Sequence, residues 1–154
     1  MPHNLHVVLI EPEIPSNTGS IGRACLATGT TLHLVDPLGF EITDKRLKRA
    51  GLDYWQYLKI ERYQGVKHFF ESIPNDAPKI FFSKKAEEIY FDHHFKEESY
   101  LIFGKETAGL PDEILKTYSR NVYRIPQYDE RVRSLNLSNA VTLGIYEAIR
   151  QLGP

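Results

Sequence analysis

Four short apolar runs constrain what this chain can become: Leu5–Ile10 (LHVVLI), Thr31–Val35 (TLHLV), Lys79–Ser83 (KIFFS) and Tyr100–Phe103 (YLIF). Each is short, apolar and β-prone, which marks a buried strand. The first ends at Glu11-Pro12-Glu13-Ile14-Pro15, where two prolines forbid continuing a strand or a helix. Ser16 or Asn17 then caps a helix to about Thr28, with Ile21, Ala24 and Cys25 on one face and Gly29 as its stop. Asp36-Pro37-Leu38-Gly39 reads as a turn. Further helices are expected at Lys45–Arg49, Val66–Ser72, Asp112–Tyr118 and Ser138–Gln151, and further strands at Tyr57–Arg62 and Val122–Ile125. Lys84–Glu98 is charged and resists assignment. Strands alternating with helices predict an α/β fold, a mostly parallel sheet with helices on both faces. No repeat, low-complexity segment or linker interrupts the pattern, so one domain over 1–154 is expected.

Such a sheet binds ligands outside the carboxyl ends of its strands. The segments after Ile10, Phe103 and Ile125 all leave such ends, so they can converge although they are far apart in sequence. In Pro12–Arg23, Gly19 and Gly22 sit early in a helix, at a cost of roughly 1 kcal/mol each against alanine, which a close ligand or backbone would offset. Asn17 and Arg23 are expected near one helix face, reaching toward one ligand. An ordinary capped helix with a surface arginine is the plainer reading. The segment is neither a Walker loop nor Gly-x-Gly-x-x-Gly. Phe103-Gly104-Lys105-Glu106-Thr107-Ala108-Gly109-Leu110-Pro111 is either a tight loop for a polar cofactor or a strand-to-helix turn with Glu106 near the helix start. Ile125–Asn139 is a polar loop entering the last helix. Capping by Ser138 or Asn139 accounts for one residue there and leaves Ser134 and Asn136 unexplained.

The bulk numbers set outer limits. Hydrophobic residues are 42% and charged residues 25% of 154, a globular composition. No apolar run approaches the roughly 20 residues of a membrane span, the start Met-Pro-His-Asn-Leu-His is unlike a signal peptide, and Cys25 is the lone cysteine. A cytoplasmic protein without membrane contact is expected. A net charge of −1 neither announces nor excludes a nucleic-acid binder. Local basic clusters lie at Lys45, Arg46, Lys48 and Arg49, read as a solvated face, and at Arg124, Arg131 and Arg133 among the polar segments. Adjacent His93 and His94 do not share a face and form no metal site. Tyr54, Trp55 and Tyr57 can stack on bases, with packing or dimer contacts the favoured role.

The runs Pro-Glu-Ile-Pro-Ser-Asn-Thr-Gly-Ser-Ile-Gly-Arg, Phe-Gly-Lys-Glu-Thr-Ala-Gly-Leu-Pro and Arg-Ser-Leu-Asn-Leu-Ser-Asn-Ala-Val resemble, in order and spacing, the three motifs of the SPOUT RNA methyltransferases. Within them the chain is similar to the small tRNA (cytidine/uridine) wobble-position 2′-O-methyltransferases, a likeness that Arg49-Ala50-Gly51-Leu52-Asp53-Tyr54 shares and that runs from about Leu5 to Leu152. The resemblance implies a C-terminal trefoil knot, an S-adenosylmethionine cofactor leaving as S-adenosylhomocysteine, no metal, a homodimer and a tRNA substrate. It implies cofactor contacts at Ser83, Gly104, Ile125 and Ser134, and a catalytic group of Arg23, Asn17, Glu106 and Asn136. Arg133 and Tyr146 would touch RNA, core packing being the equal alternative for Tyr146. The competing functions are a non-catalytic RNA binder of the same fold, a 2′-O-methyltransferase acting at another RNA position, and a doubly wound nucleotide-binding enzyme.

Overall fold

The computed structural model describes residues 3–43 and 45–154, without the side chains of residues 48 and 50–53. Lys48 of the first basic cluster and the run Ala50-Gly51-Leu52-Asp53 therefore fall outside the described side chains. The elements are β1 (His6–Ile10), α1 (Pro15–Thr28), β2 (Thr31–Val35), α2 (Lys45–Gly51), β3 (Ile60–Tyr63), α3 (Val66–Ser72), β4 (Lys79–Phe82), β5 (Tyr100–Phe103), α4 (Asp112–Thr117), β6 (Val122–Tyr123) and α5 (Leu137–Leu152). The strand expected at 57–62 starts later, because Leu52–Tyr57 winds into a 3-10 turn. The stretch 84–98 is mostly irregular, with one 3-10 turn at Tyr90–Asp92, and is held by the buried rings of Tyr90 and Phe95.

All six strands lie in one sheet, in the order β3-β2-β1-β5-β4-β6, and every pairing is parallel. Strands buried on both faces need apolar residues at most positions, hence the largely apolar runs of β1, β2, β4 and β5. Along β1, Val7 and Leu9 pack with Ile21 and Cys25 of α1 and Val141 and Ile145 of α5. The alternate residues Val8 and Ile10 pack with Phe69 of α3 and Ile114 of α4. The chain proceeds to opposite sides of the sheet after β1 and after β5, so a crevice opens beyond the carboxyl ends of these neighbours.

The helix ends depart from the expected caps. Pro15 opens α1 and Ile14 is its N-cap, with no cap from its own side chain; Ser16 and Asn17 are already inside the first turn. Gly29 does close that helix, at φ 66°. Asn136, rather than Ser138 or Asn139, caps α5, its Oδ1 accepting from the amides of both. Gly22 is accounted for by a side chain: a Cβ there would stand 2.6 Å from Cζ3 of Trp55. Cys25 is fully buried, and burial pushes its thiol pKa far up.

A polar chain crosses the N-terminal half of the sheet. His6 Nδ1 lies 2.8 Å from His33 Nε2, and His33 Nδ1 lies 2.8 Å from the Tyr63 hydroxyl. Either direction of donation satisfies all three groups when both rings are neutral, whereas two protonated rings would set donor against donor. Burial lowers His6 to about 4 and His33 to about 3, against the ordinary 6.5. The unfolded chain takes up these protons near 6.5 and the folded chain refuses them, so stability is complete above that pH and declines below it. We expect a urea midpoint constant from pH 7 upward and falling toward pH 5, with a slope of up to about 1.4 kcal/mol per pH unit per histidine. A midpoint that stays flat to pH 5 would contradict the neutral pair.

Candidate active site at the strand ends

The loops leaving β1, β4, β5 and β6 enclose one cleft of about 510 Å³. Its wall includes Asn17, Ser83, Gly104, Glu106, Ile125, Arg133, Ser134 and Asn136, eight of the ten residues singled out in the sequence. Phe82, Phe103, Leu137 and Ala140 give it an apolar floor. The volume and the mixture of apolar wall with a few convergent polar groups suit a nucleoside-sized ligand.

The loop after β5 is built by its backbone. A Cβ on Gly104 would lie 2.1 Å from the Gly109 carbonyl carbon and 2.2 Å from the Leu110 nitrogen, so only glycine lets the loop close. Gly109 closes it from the other side, at φ 69° with its amide donating to the Lys105 carbonyl at 2.9 Å. Lys105 is tied by a 3.2 Å ion pair to Glu11, which itself holds a positive φ of 54° at the end of β1.

Glu106 does not serve the helix that follows its own loop. Its carboxylate accepts from the amides of Glu13 at 2.8 Å and Ile14 at 2.9 Å, holding from 93 and 92 residues away the residue before the N-cap of α1 and the N-cap residue itself. Glu13 answers: its Oε1 accepts from the Thr107 amide at 3.0 Å and hydroxyl at 2.7 Å. Those two bonds hold the Glu13 carboxyl below the usual carboxylate range. Glu106 also accepts from Asn17 Nδ2 at 3.3 Å, and Asn17 Oδ1 accepts from Asn136 Nδ2 at 3.0 Å. One chain of bonds thus runs from the β5 loop, through the start of α1, to the start of α5.

Arg23 and Tyr146 are outside this cleft. Six helical steps carry Arg23 about 120° round from Asn17, so the two do not share a face as expected. Arg23 is exposed, its guanidinium 5.2 Å from the centroid of the Tyr54 ring. Tyr146 is 51% exposed, which removes core packing as its role. In the second basic cluster Arg131 is paired to Asp129 by two side-chain bonds, while Arg133 faces the cleft. Of the first cluster, Lys45, Arg46 and Arg49 are exposed. His93 is half-buried against Phe95 and Tyr123 and pushed down to about 4 by that burial.

Sequence reasoning overlooked Glu13, Thr107 and the cleft lysines Lys84 and Lys85. A carboxylate wedged between two prolines, where it can neither cap nor pair locally, was the available signal for Glu13.

The sequence pattern described as the SpoU rRNA Methylase family matches residues 4–146. The chain belongs to this family. Among SpoU relatives, a tRNA (cytidine(34)-2'-O)-methyltransferase from Saccharophagus degradans is 47% identical over 151 residues, covering 96% of each chain. A solved structure concerned with 2-OH methylation of C/U34 on tRNA superposes with a TM-score of 0.94 at 43% identity, covering 99% of this chain and 98% of that one. An AdoMet-bound rRNA methyltransferase from Sinorhizobium meliloti has a TM-score of 0.85 at 26% identity, covering 98% of this chain and 57% of that one.

Two substitutions probe the construction of this SpoU cleft. Glu106→Ala strips two backbone amides and the Asn17 amide of their acceptor, and should cost about 1–2 kcal/mol in urea unfolding; an unchanged midpoint would show that the clasp is not holding α1. Gly104→Ala should lower the urea midpoint, since the loop cannot close over the added carbon.

Proposed function

We propose that this chain transfers a methyl group from S-adenosylmethionine to the ribose 2′-hydroxyl of the wobble nucleotide of tRNA, cytidine or modified uridine, as a cytoplasmic homodimer. The observation that carries this reading is the convergence of the four loops on one cleft with Asn17, Glu106 and Asn136 in a continuous hydrogen-bond chain. Near-full-length likeness to a tRNA (cytidine(34)-2'-O)-methyltransferase supports the substrate, and the AdoMet-bound neighbour supports the cofactor.

The cleft fits that cofactor. Gly104 and its closed loop offer main-chain groups, Ile125 and Ser134 approach from the opposite wall, and Ser83 stands at the end of β4. When bound, the sulfonium supplies an electrophilic methyl group. The chain's own task is to bring the 2′-oxygen in line with it and to stabilise the charge that develops as the hydroxyl proton passes to solvent water.

Glu106 is an unsuitable base, because its oxygens already accept from Glu13, Ile14 and Asn17. Its role is to fix the start of α1, the helix that carries Arg23. A guanidinium has five N–H donors and no acceptor, so Arg23 acts as a donor to the phosphate and the 2′-oxygen rather than as a base. Arg133 at the cleft wall is the second contact assigned to RNA, and Tyr146 the third. Leu143 and Tyr146, 43% and 51% exposed on α5, supply apolar surface for a second subunit, which would bring Arg23 or Tyr146 beside a partner's cleft. The passage of the chain from β6 into α5, beside the loops after β4 and β5, is where we place the trefoil knot. Among the described residues no helix is long and apolar enough to cross a membrane.

With labelled methyl donor and tRNA, Arg23→Ala should reduce transfer by at least about a hundredfold while leaving S-adenosylmethionine affinity within about twofold. A fully active variant removes Arg23 from the mechanism. Donor binding by the wild type without methylated RNA would instead support a non-catalytic RNA binder. Mapping of the product would separate the wobble ribose from any other position.

A further inference from the structure

One sequence motif remains outside the chemistry just described, the run that ends at Tyr54 and continues into Trp55. The absence of a side chain at Gly22 lets the Trp55 indole and Leu58 lie directly on α1: a Cβ there would stand 2.6 Å from Trp55 Cζ3 and 2.9 Å from Leu58 Cδ2. That contact fixes the Leu52–Tyr57 turn against the helix. The neighbours on either side of it then meet, with the Arg23 Cζ 5.2 Å from the Tyr54 ring centroid.

We propose that Tyr54 is a positioning residue for Arg23, a ring platform that holds the guanidinium in the orientation needed at the ribose and its phosphate. The inference rests on the role given to Arg23 above. A long exposed arginine loses rotamer freedom when it engages substrate, and a platform that restricts it beforehand lowers that cost. The choice of partner matters. A carboxylate in the same place would occupy the guanidinium fork and cancel its charge, whereas a ring face leaves charge and in-plane donors available. Gly22 and Trp55 act one step further back, as the seat of the platform.

The test uses the full chain with tRNA and S-adenosylmethionine, comparing Tyr54→Phe, Tyr54→Leu and Arg23→Ala. Tyr54→Leu should lower kcat by about tenfold, with the KM for tRNA and the affinity for the methyl donor within about twofold, while Tyr54→Phe, which keeps the ring, retains wild-type kcat. A readout independent of turnover is the Nε–H resonance of Arg23 in the folded protein, which should lose its ring-current shift in Tyr54→Leu and keep it in Tyr54→Phe. Gly22→Ala, which displaces the indole, should move the same resonance and lower kcat. The proposal is overturned by an unchanged kcat in Tyr54→Leu, by a raised KM for tRNA at unchanged kcat (a base-stacking role), or by an Arg23 resonance indifferent to the ring. Full activity of Arg23→Ala would instead sink the underlying mechanism, whatever Tyr54 does.

Discussion

The Glu106 carboxylate lies over the start of α1, and the geometry of the cleft depends on that placement. A helix whose first residues are Pro15 and Ser16, with Ile14 as N-cap, has unsatisfied amides and no side chain of its own to meet them. Meeting the Ile14 amide from the β5 loop ties together two loops that leave neighbouring strands, through residues 92 apart in the chain. The Glu13–Thr107 bonds run in the opposite direction, so the pair behaves as a two-point clasp that fixes angle as well as distance. Asn17 and Asn136 extend it to α5.

The sheet makes this possible. With β1 and β5 side by side at the point where the strand order reverses, their outgoing loops face the same crevice. Parallel strands buried on both faces fix that adjacency through the core, by Val7 and Leu9 on one side and Val8 and Ile10 on the other, independently of anything in the loops. The loops are then free to be polar and glycine-rich. Where Gly104 closes its loop, backbone shape rather than side-chain identity defines the cleft wall.

Local sequence carried the strands well, because an apolar run in a doubly covered sheet needs no partner to be recognised. β2, β4 and β5 came within a residue of their limits, as did α3. Caps were misplaced for a physical reason: the partner of a helix end can come from anywhere in the fold. Ser16 and Asn17 look like local caps of α1, yet Ile14 holds the N-cap position with its amide bonded to Glu106, and Asn136 outcompetes Ser138 at α5. The same limit explains Arg23, whose relation to Asn17 was set by helical arc and whose true neighbour, Tyr54, lies beyond an intervening strand and helix. Grouping the three polar segments in one place required only the rule about strand ends. Assigning a cofactor and a ribose to them required family likeness.

Cys25 gives this architecture a clock. The one thiol of the chain is sealed between α1 and the sheet, on the helix whose first turn carries Asn17 and whose middle carries Arg23. A thiol reagent in solution can react only when that helix lifts, so its rate of modification counts the openings of the element that organises the site. The protein therefore carries its own single-site reporter of local unfolding, without an added label and without a competing cysteine elsewhere in the chain.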